Sequence, residues 1–292
     1  MADGLMWEHQ PEALRRPVLV AGFEGWNDAA DAASAAAQWV AQHGESAERI
    51  ATVDPEEHFD FQARRPNVEL ADGVTRAVVW PENSFSTVRF DDRDIVVLRG
   101  IEPSYRWKSF CNAVLTVVHE TGCEMVVTFG ALLADVPHTR SVRITGTATD
   151  PELIRRLDLA HSRYEGPTGI VGVLHDACHT AGVPSVSLWA PVPHYIAAPP
   201  NPPATLGLLQ RLGSLLGVRL DLDRLADGVG AWRHRVDEVA GDDDDVRAYV
   251  RKLEERYDAE AQDGASWGER LPSGEELANE LERFLREQRG DR

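Results

Sequence analysis

Asp135, His138 and Arg140 fall within six consecutive residues and offer a hydrogen-bond acceptor, a titratable ring and a fixed cation. A carboxylate that orients an imidazole turns that ring into a general base, and a guanidinium beside it can hold an anionic group. These three are the candidate catalytic residues. The same positions also suit a plain turn shaped by Pro137, with Arg140 bonded to an acidic surface. Residues 125–129 form an apolar run that stops at Gly130 and reads as a buried strand. A second β-like run, 141–145, ends at Gly146. Loops that leave such strands are where α/β proteins place their polar working groups. Three more stretches have this character: GFEGW (22–26), RGIEP (99–103) and APVPHY (190–195). They and their flanks supply Glu24, Trp26, Asn27, Asp28, Glu102, His194 and Tyr195 as candidate ligand-binding residues, although Asn27 and Asp28 could equally cap a helix.

Other chemistries find less support. His175 and His179 have the i, i+4 spacing of a metal pair, but no glutamate stands between them as in HExxH and no third ligand is suitably spaced. The expectation is no metal and no cofactor. The G-x-S-x-G elbow of a serine hydrolase is missing. The tetra-aspartate 242–245 lacks the spaced ligands of a calcium loop. No GxxxxGK[ST] occurs, and of 30 basic residues only Lys108 and Lys252 are lysines, which argues against nucleotide hydrolysis by a phosphate-gripping loop.

The formal net charge of −18 would repel a phosphate backbone or an anionic bilayer, so neither nucleic acid nor membrane is an expected partner. No apolar run reaches the length of a membrane span. The first residues lack the pattern of a secretory signal. Three cysteines without CxxC spacing fit a reducing cytoplasm.

The elements that must position these residues alternate between strand and helix. Strands are expected at 17–22, 49–53, 74–80, 95–98, 123–129 and 185–190. Helices are expected at 28–43 with Asn27 as cap, 105–121, from Asp150 onward, 168–181 with Thr168 as cap, and 204–216. Such alternation predicts a three-layer α/β/α fold with a mostly parallel sheet, and the four polar exits would then share one sheet edge. After residue 217 the character changes. Leu222, Leu225, Val229, Trp232, Val236 and Val239 form a heptad seam, a second helix follows from Val246, and a capping box at 273–276 opens a third. Residues 218–292 carry 21 acidic and 13 basic side chains. The expected organisation is therefore a core of 1–217 and an acidic helical appendage of 218–292, of a type that often packs on a partner subunit.

The stretches GFEGWNDAADAA (22–33), FDFQARRP (59–66), GALLADVPHTR (130–140), YEGPTGIVGVL (164–174) and SLWAPVPHY (187–195) resemble the proteasome assembly chaperone 2-like proteins of actinobacteria. The resemblance spans about 16–257. It implies an α/β/α fold akin to nucleoside phosphorylases and peptidyl hydrolases, and homo-oligomers, a trimer being one arrangement. It also implies a non-catalytic scaffold that binds 20S proteasome subunits or another protein. Some relatives end in a hydrophobic-Tyr-any tail, whereas this sequence ends Arg289-Gly290-Asp291-Arg292, which speaks against docking by that route. The alternative expectation is an enzyme or small-ligand binder of hydrolase or phosphorylase type, with its pocket at the strand carboxyl ends.

Overall fold

The computed structural model describes residues 4–70, 73, 75–90, 93–156 and 165–262. The expected 273–276 capping box and its helix lie outside them. Elements follow in the order β1 (Leu5–Trp7), β2 (Val18–Glu24), α1 (Ala32–Gln42), β3 (Ala47–Val53), α2 (Pro55–His58), β4 (Asn67–Leu70), β5 (Arg76–Val79), β6 (Asn83–Phe90) and β7 (Arg93–Ile101). Then come α3 (Trp107–Glu120), β8 (Val126–Ala134), β9 (Thr145–Ala148), α4 (Pro151–Arg156), α5 (Ile170–Thr180), β10 (Ser185–Pro193), α6 (Pro202–Leu216), α7 (Asp223–Gly241) and α8 (Asp244–Gln262).

An eight-stranded sheet of order β1-β3-β6-β7-β2-β8-β10-β9 forms the middle layer. Its centre, β7-β2-β8-β10, is parallel, and both flanks are antiparallel. The sheet is thus mixed, because only two residues separate β6 from β7, too few to join parallel neighbours. Helices α1 and α6 cover one face over Val18, Val20, Val97, Val127 and Phe129. Helices α3 and α5 cover the other over Leu19, Ala21, Phe23, Leu98 and Val126. Burial on both faces explains why the central strands read as continuous apolar runs. The alanines of α1 serve the same packing: a Cβ on Gly22 would lie 2.6 Å from Ala33 O and 2.7 Å from Ala37 Cβ, so helix and strand meet at backbone distance.

Several expectations are corrected. Strand β8 does not stop at Gly130 but continues to Ala134, because the bare glycine accommodates the Trp189 ring, which a Cβ would approach to 2.5 Å. The second run pairs only from Thr145, as edge strand β9. The 74–80 strand lies outside the main sheet, forming with β4 a two-stranded hairpin. Residues 83–90, where no strand was expected, form an antiparallel strand of the main sheet. Helix α1 is not capped by Asn27. A 3₁₀ turn at Ala29–Asp31 comes first, and the Asp28 carboxylate accepts the N–H of Ala33 at 2.7 Å and of Ser34 at 3.0 Å. Helix α5 is capped by Glu102 rather than Thr168.

Helix α7 lies along α6 and α8 along α7. Of the expected seam, Val229, Trp232 and Val236 are buried but Val239 is exposed, and Ala240 is buried in its place. A straight helix drifts off a 3.5-residue repeat, so this seam packs as an ordinary helix face. Among the described residues no helix is long and apolar enough to cross a membrane. Both lysines, Lys108 on α3 and Lys252 on α8, are exposed.

At the amino edge of the sheet, Asp94 is buried and accepts Arg15 N at 2.8 Å and Arg15 Nη2 at 2.9 Å. Burial pushes its carboxyl upward, but the Arg15 bonds and the charges of Arg15 and Arg89 outweigh it and hold the group below its ordinary 3.8. A carboxylate whose folded value is depressed stabilises the protein above its unfolded value, and that stability is lost as pH falls through the folded one. Asp94→Asn should therefore cost about 1–3 kcal/mol at pH 7 in urea unfolding. The difference from the parent should shrink as pH falls below about 4.

Candidate functional site

The four polar exits do leave one edge of the sheet. Strand β2 pairs with β7 through to Glu24–Ile101, but with β8 only over Leu19–Ala21. Beyond Ala21 the strands part, as at the switch point of a doubly wound sheet. Here that crevice is filled by the chain itself. Asp28 bridges to Ala131, and Ala131 N–H donates to Asn27 O at 2.8 Å. The Asp28 carboxyl is buried, which pushes it above its ordinary 3.8 against the bonds from Ser34 and Ala33.

The candidate residues fall into two groups around this plug. On the β7 side, Glu102 organises Glu24, Trp26, Asn27 and the start of α5. Its backbone N–H donates to Glu24 O at 2.8 Å, and its Oε1 accepts Ile170 N–H at 2.8 Å. A carboxylate at a helix start complements both the free N–H groups and the dipole. A Cβ on Gly169 would come within 2.1 Å of Asn27 Oδ1 and 2.7 Å of Glu102 Oε1, so glycine is needed for this close approach. Asn27 Oδ1 is buried without a partner. The Glu24 carboxylate is tied to Arg64 at 2.6 Å, and Trp26 is exposed.

On the β10 side stand Asp135, His138, Arg140, His194 and Tyr195, all facing α7 and α8. Buried His138 binds the Tyr195 hydroxyl through Nδ1 at 2.8 Å and Asp237 of α7 through Nε2 at 2.9 Å. The order hydroxyl–imidazole–carboxylate is that of a nucleophilic relay, but the hydroxyl is spent. It also accepts His138 N–H at 2.9 Å, and burial pushes it up to about 12, so it stays a protonated donor. Arg140 forks the Asp258 carboxylate at 2.9 and 2.7 Å and reaches Glu254 at 3.1 Å. Asp135 Oδ1 meets His194 Nδ1 at 3.0 Å and accepts the Tyr249 hydroxyl at 3.0 Å. Thr139, Ser141 and Arg143 continue the row onto Glu254 and Tyr257 of α8. The acidic helices thus pack on this chain's own core. Their carboxylates are the counter-charges of the loop, a match invisible while the helices read only as acidic.

Sequence reasoning missed Asp237, Tyr249, Glu254 and Asp258, whose only signal was an acidic helix with no assigned neighbour. It also passed over Arg64, Arg65, Arg99 and Trp80, which line a second, open cleft. His175 Nδ1 is bonded to Ser185 Oγ at 2.9 Å. Burial pushes the Cys111 and Cys123 thiols up to about 12 and Cys178 to about 11, so all three stay protonated at neutral pH. Among the described residues no group of three or more His, Cys, Asp or Glu could hold a metal.

Because the contacts that seat α8 on the loop are largely polar, removing one hub should loosen that helix alone. Arg140→Ala should raise amide exchange in α7 and α8 by about 5- to 30-fold, corresponding to roughly 1–2 kcal/mol. Exchange in β2 and β8 should be unchanged when read by mass spectrometry.

The PAC2 family model matches residues 22–240. A PAC2 family protein from Streptomyces avermitilis is 52% identical, with a TM-score of 0.76, covering 80% of this chain and 99% of its own. The Mycobacterium tuberculosis proteasome-assembly chaperone homologue Rv2125 is 44% identical, with a TM-score of 0.74 and the same coverage. PbaB, an archaeal proteasome activator from Pyrococcus furiosus, shares the fold at 18% identity and a TM-score of 0.66, covering 80% of this chain and 97% of its own. No curated protein matches significantly. With three-quarters of its length under one family model and close relatives aligned end to end, the chain belongs to the PAC2 family.

Proposed function

We propose that this chain is a proteasome-associated scaffold, a homo-oligomeric protein that binds 20S subunits through its surfaces and catalyses nothing. The observation that carries the reading is the 44% identity to a proteasome-assembly chaperone homologue over 99% of that protein. Two features of the chain agree with it. The polar groups at the β8 and β10 exits are committed to seating α7 and α8, so they hold a shape rather than await a substrate. The β4–β5 hairpin presents Val68, Leu70 and Val78 on one side of a two-stranded ribbon, each at least 54% exposed. Such a ribbon is marginally stable alone, and clustered apolar exposure marks an interaction surface. We assign this outer hairpin face to contact with a second copy of the chain.

Light scattering coupled to gel filtration should give a mass that is a multiple of 32.3 kDa. Val68→Glu/Val78→Glu should shift it to the monomer without loss of helical circular dichroism. Affinity capture from a proteasome-bearing actinobacterium should recover 20S α-subunits. A monomeric parent protein would overturn the oligomer. Capture without α-subunits, together with normal proteasome assembly in a deletion strain, would overturn the scaffold role.

A further inference from the structure

A cleft of about 720 Å³ opens at the carboxyl edge on the β7 side and plays no part in the function proposed above. Arg99, Ile101 and Ser84 form its floor, Gln38 of α1 one wall, and Val79 with Trp80 the other. Register places Asn67 opposite Val79, on the face of the hairpin turned away from Val68 and Val78. The hairpin therefore has two separate working faces.

The charges in the cleft do not balance. Its two carboxylates are already engaged, Glu24 by Arg64 at 2.6 Å and Glu82 by Arg49 at 3.0 Å. Among the described residues Arg99 meets only the side-chain oxygen of Gln38, a neutral acceptor, and Arg65 has no partner. Two guanidinium groups thus face one cleft without counter-charge, in a chain whose net charge is −18. Arg99 is half-buried, and its Nε–H is buried with no acceptor. A desolvated donor on a fixed cation is costly to leave unbonded, and a guanidinium fork matches a planar carboxylate with two parallel bonds.

We propose that this cleft binds a peptide carboxylate, forked by Arg99, steered by Arg65, with the adjoining apolar side chain against Val79, Trp80 and Ile101. Carboxylate is favoured over phosphate on three grounds. No lysine lines the cleft. The first-turn amides of α1 are already bonded to Asp28. Glu24 and Glu82 would repel a dianion more than a monoanion. The group can come from a chain terminus or from an acidic side chain, and the two are separable by experiment.

The test uses the full chain with ¹⁵N-labelled arginine and four probes. These are N-acetyl-leucine with a free terminal carboxylate, N-acetyl-leucinamide without one, N-acetyl-glutamic acid α-amide with only a side-chain carboxylate, and phenyl phosphate. The expected result is a shift of the Arg99 Nε–H resonance with dissociation constants on the order of millimolar for small probes. N-acetyl-leucinamide should produce none. Arg99→Gln should weaken binding by about 10-fold or more, and Arg99→Lys should not restore it, since an ammonium cannot fork a carboxylate. Response to the leucine probe alone assigns the site to chain termini, and response to the glutamate probe alone to internal acidic residues. Equal binding of the amide, tighter binding of phenyl phosphate, or full affinity in a folded Arg99→Gln would overturn the proposal. Should Arg99→Gln not fold, Arg65→Gln decides: a weakened carboxylate response upholds the site, and an unchanged one overturns it. None of these outcomes depends on proteasome binding.

Discussion

Parallel pairing of β7, β2, β8 and β10 is the constraint on which the rest of the molecule depends. A strand buried on both faces holds a polar side chain in its middle only when it is paired, as Thr128 is with Ser187 at 2.9 Å, so the charged residues of these segments are pushed to its ends. Parallel neighbours bring their carboxyl ends together, and the helices returning to the opposite edge leave the loops free to vary. The gathering of Glu24, Glu102, Asp135 and His194 along one rim is thus a matter of topology before it is one of function. The parting of β2 from β8 after Ala21 would ordinarily leave a crevice there, and Asn27 with Asp28 closes it.

The rim is then treated differently on either side of this plug. Beyond β8 the loop is covered by two helices, and nearly every charged group on it meets an opposite charge or a hydroxyl. Charge pairs at partly exposed positions contribute modestly one by one and weaken with salt. The seating of α7 and α8 nevertheless gains from Trp232, Val236 and Leu253, which are buried beneath the polar row. On the β7 side the rim opens onto a cleft. Glu102 spends its carboxylate on the start of α5, Glu24 is tied to Arg64, and Arg99 faces an open cleft.

The central strands and core helices were legible because burial on both faces writes itself as runs of Val, Ile and Leu, and one-sided burial as the stripe of α3 from Phe110 to Val118. What stayed hidden was decided by partners distant in sequence. Asn83–Phe90 mixes Ser, Thr and Arg with Val and Phe and offers no continuous apolar run, and it is the flanking β3 and β7 that make it a strand. Asp28 caps α1 from five residues away because Ala30 and Asp31 adopt left-handed backbone, at φ 51° and 57°, which neither residue type advertises. The candidate loop was found through the strand that leads into it, but the partners of His138 were not legible. An imidazole that could serve as a base and one that anchors a helix have the same local sequence, and Asp237 lies 99 residues away.

The scarcity of lysine has an effect of its own. With lysine only at Lys108 on α3 and Lys252 on α8, any acyl group or isopeptide-linked tag directed at lysine has two addresses in these 292 residues. Both lie on helices, where the rigid backbone resists the extended conformation that modifying enzymes commonly grip. Arginine supplies nearly all the positive charge, so the molecule keeps its ion pairs while presenting very little to amine chemistry.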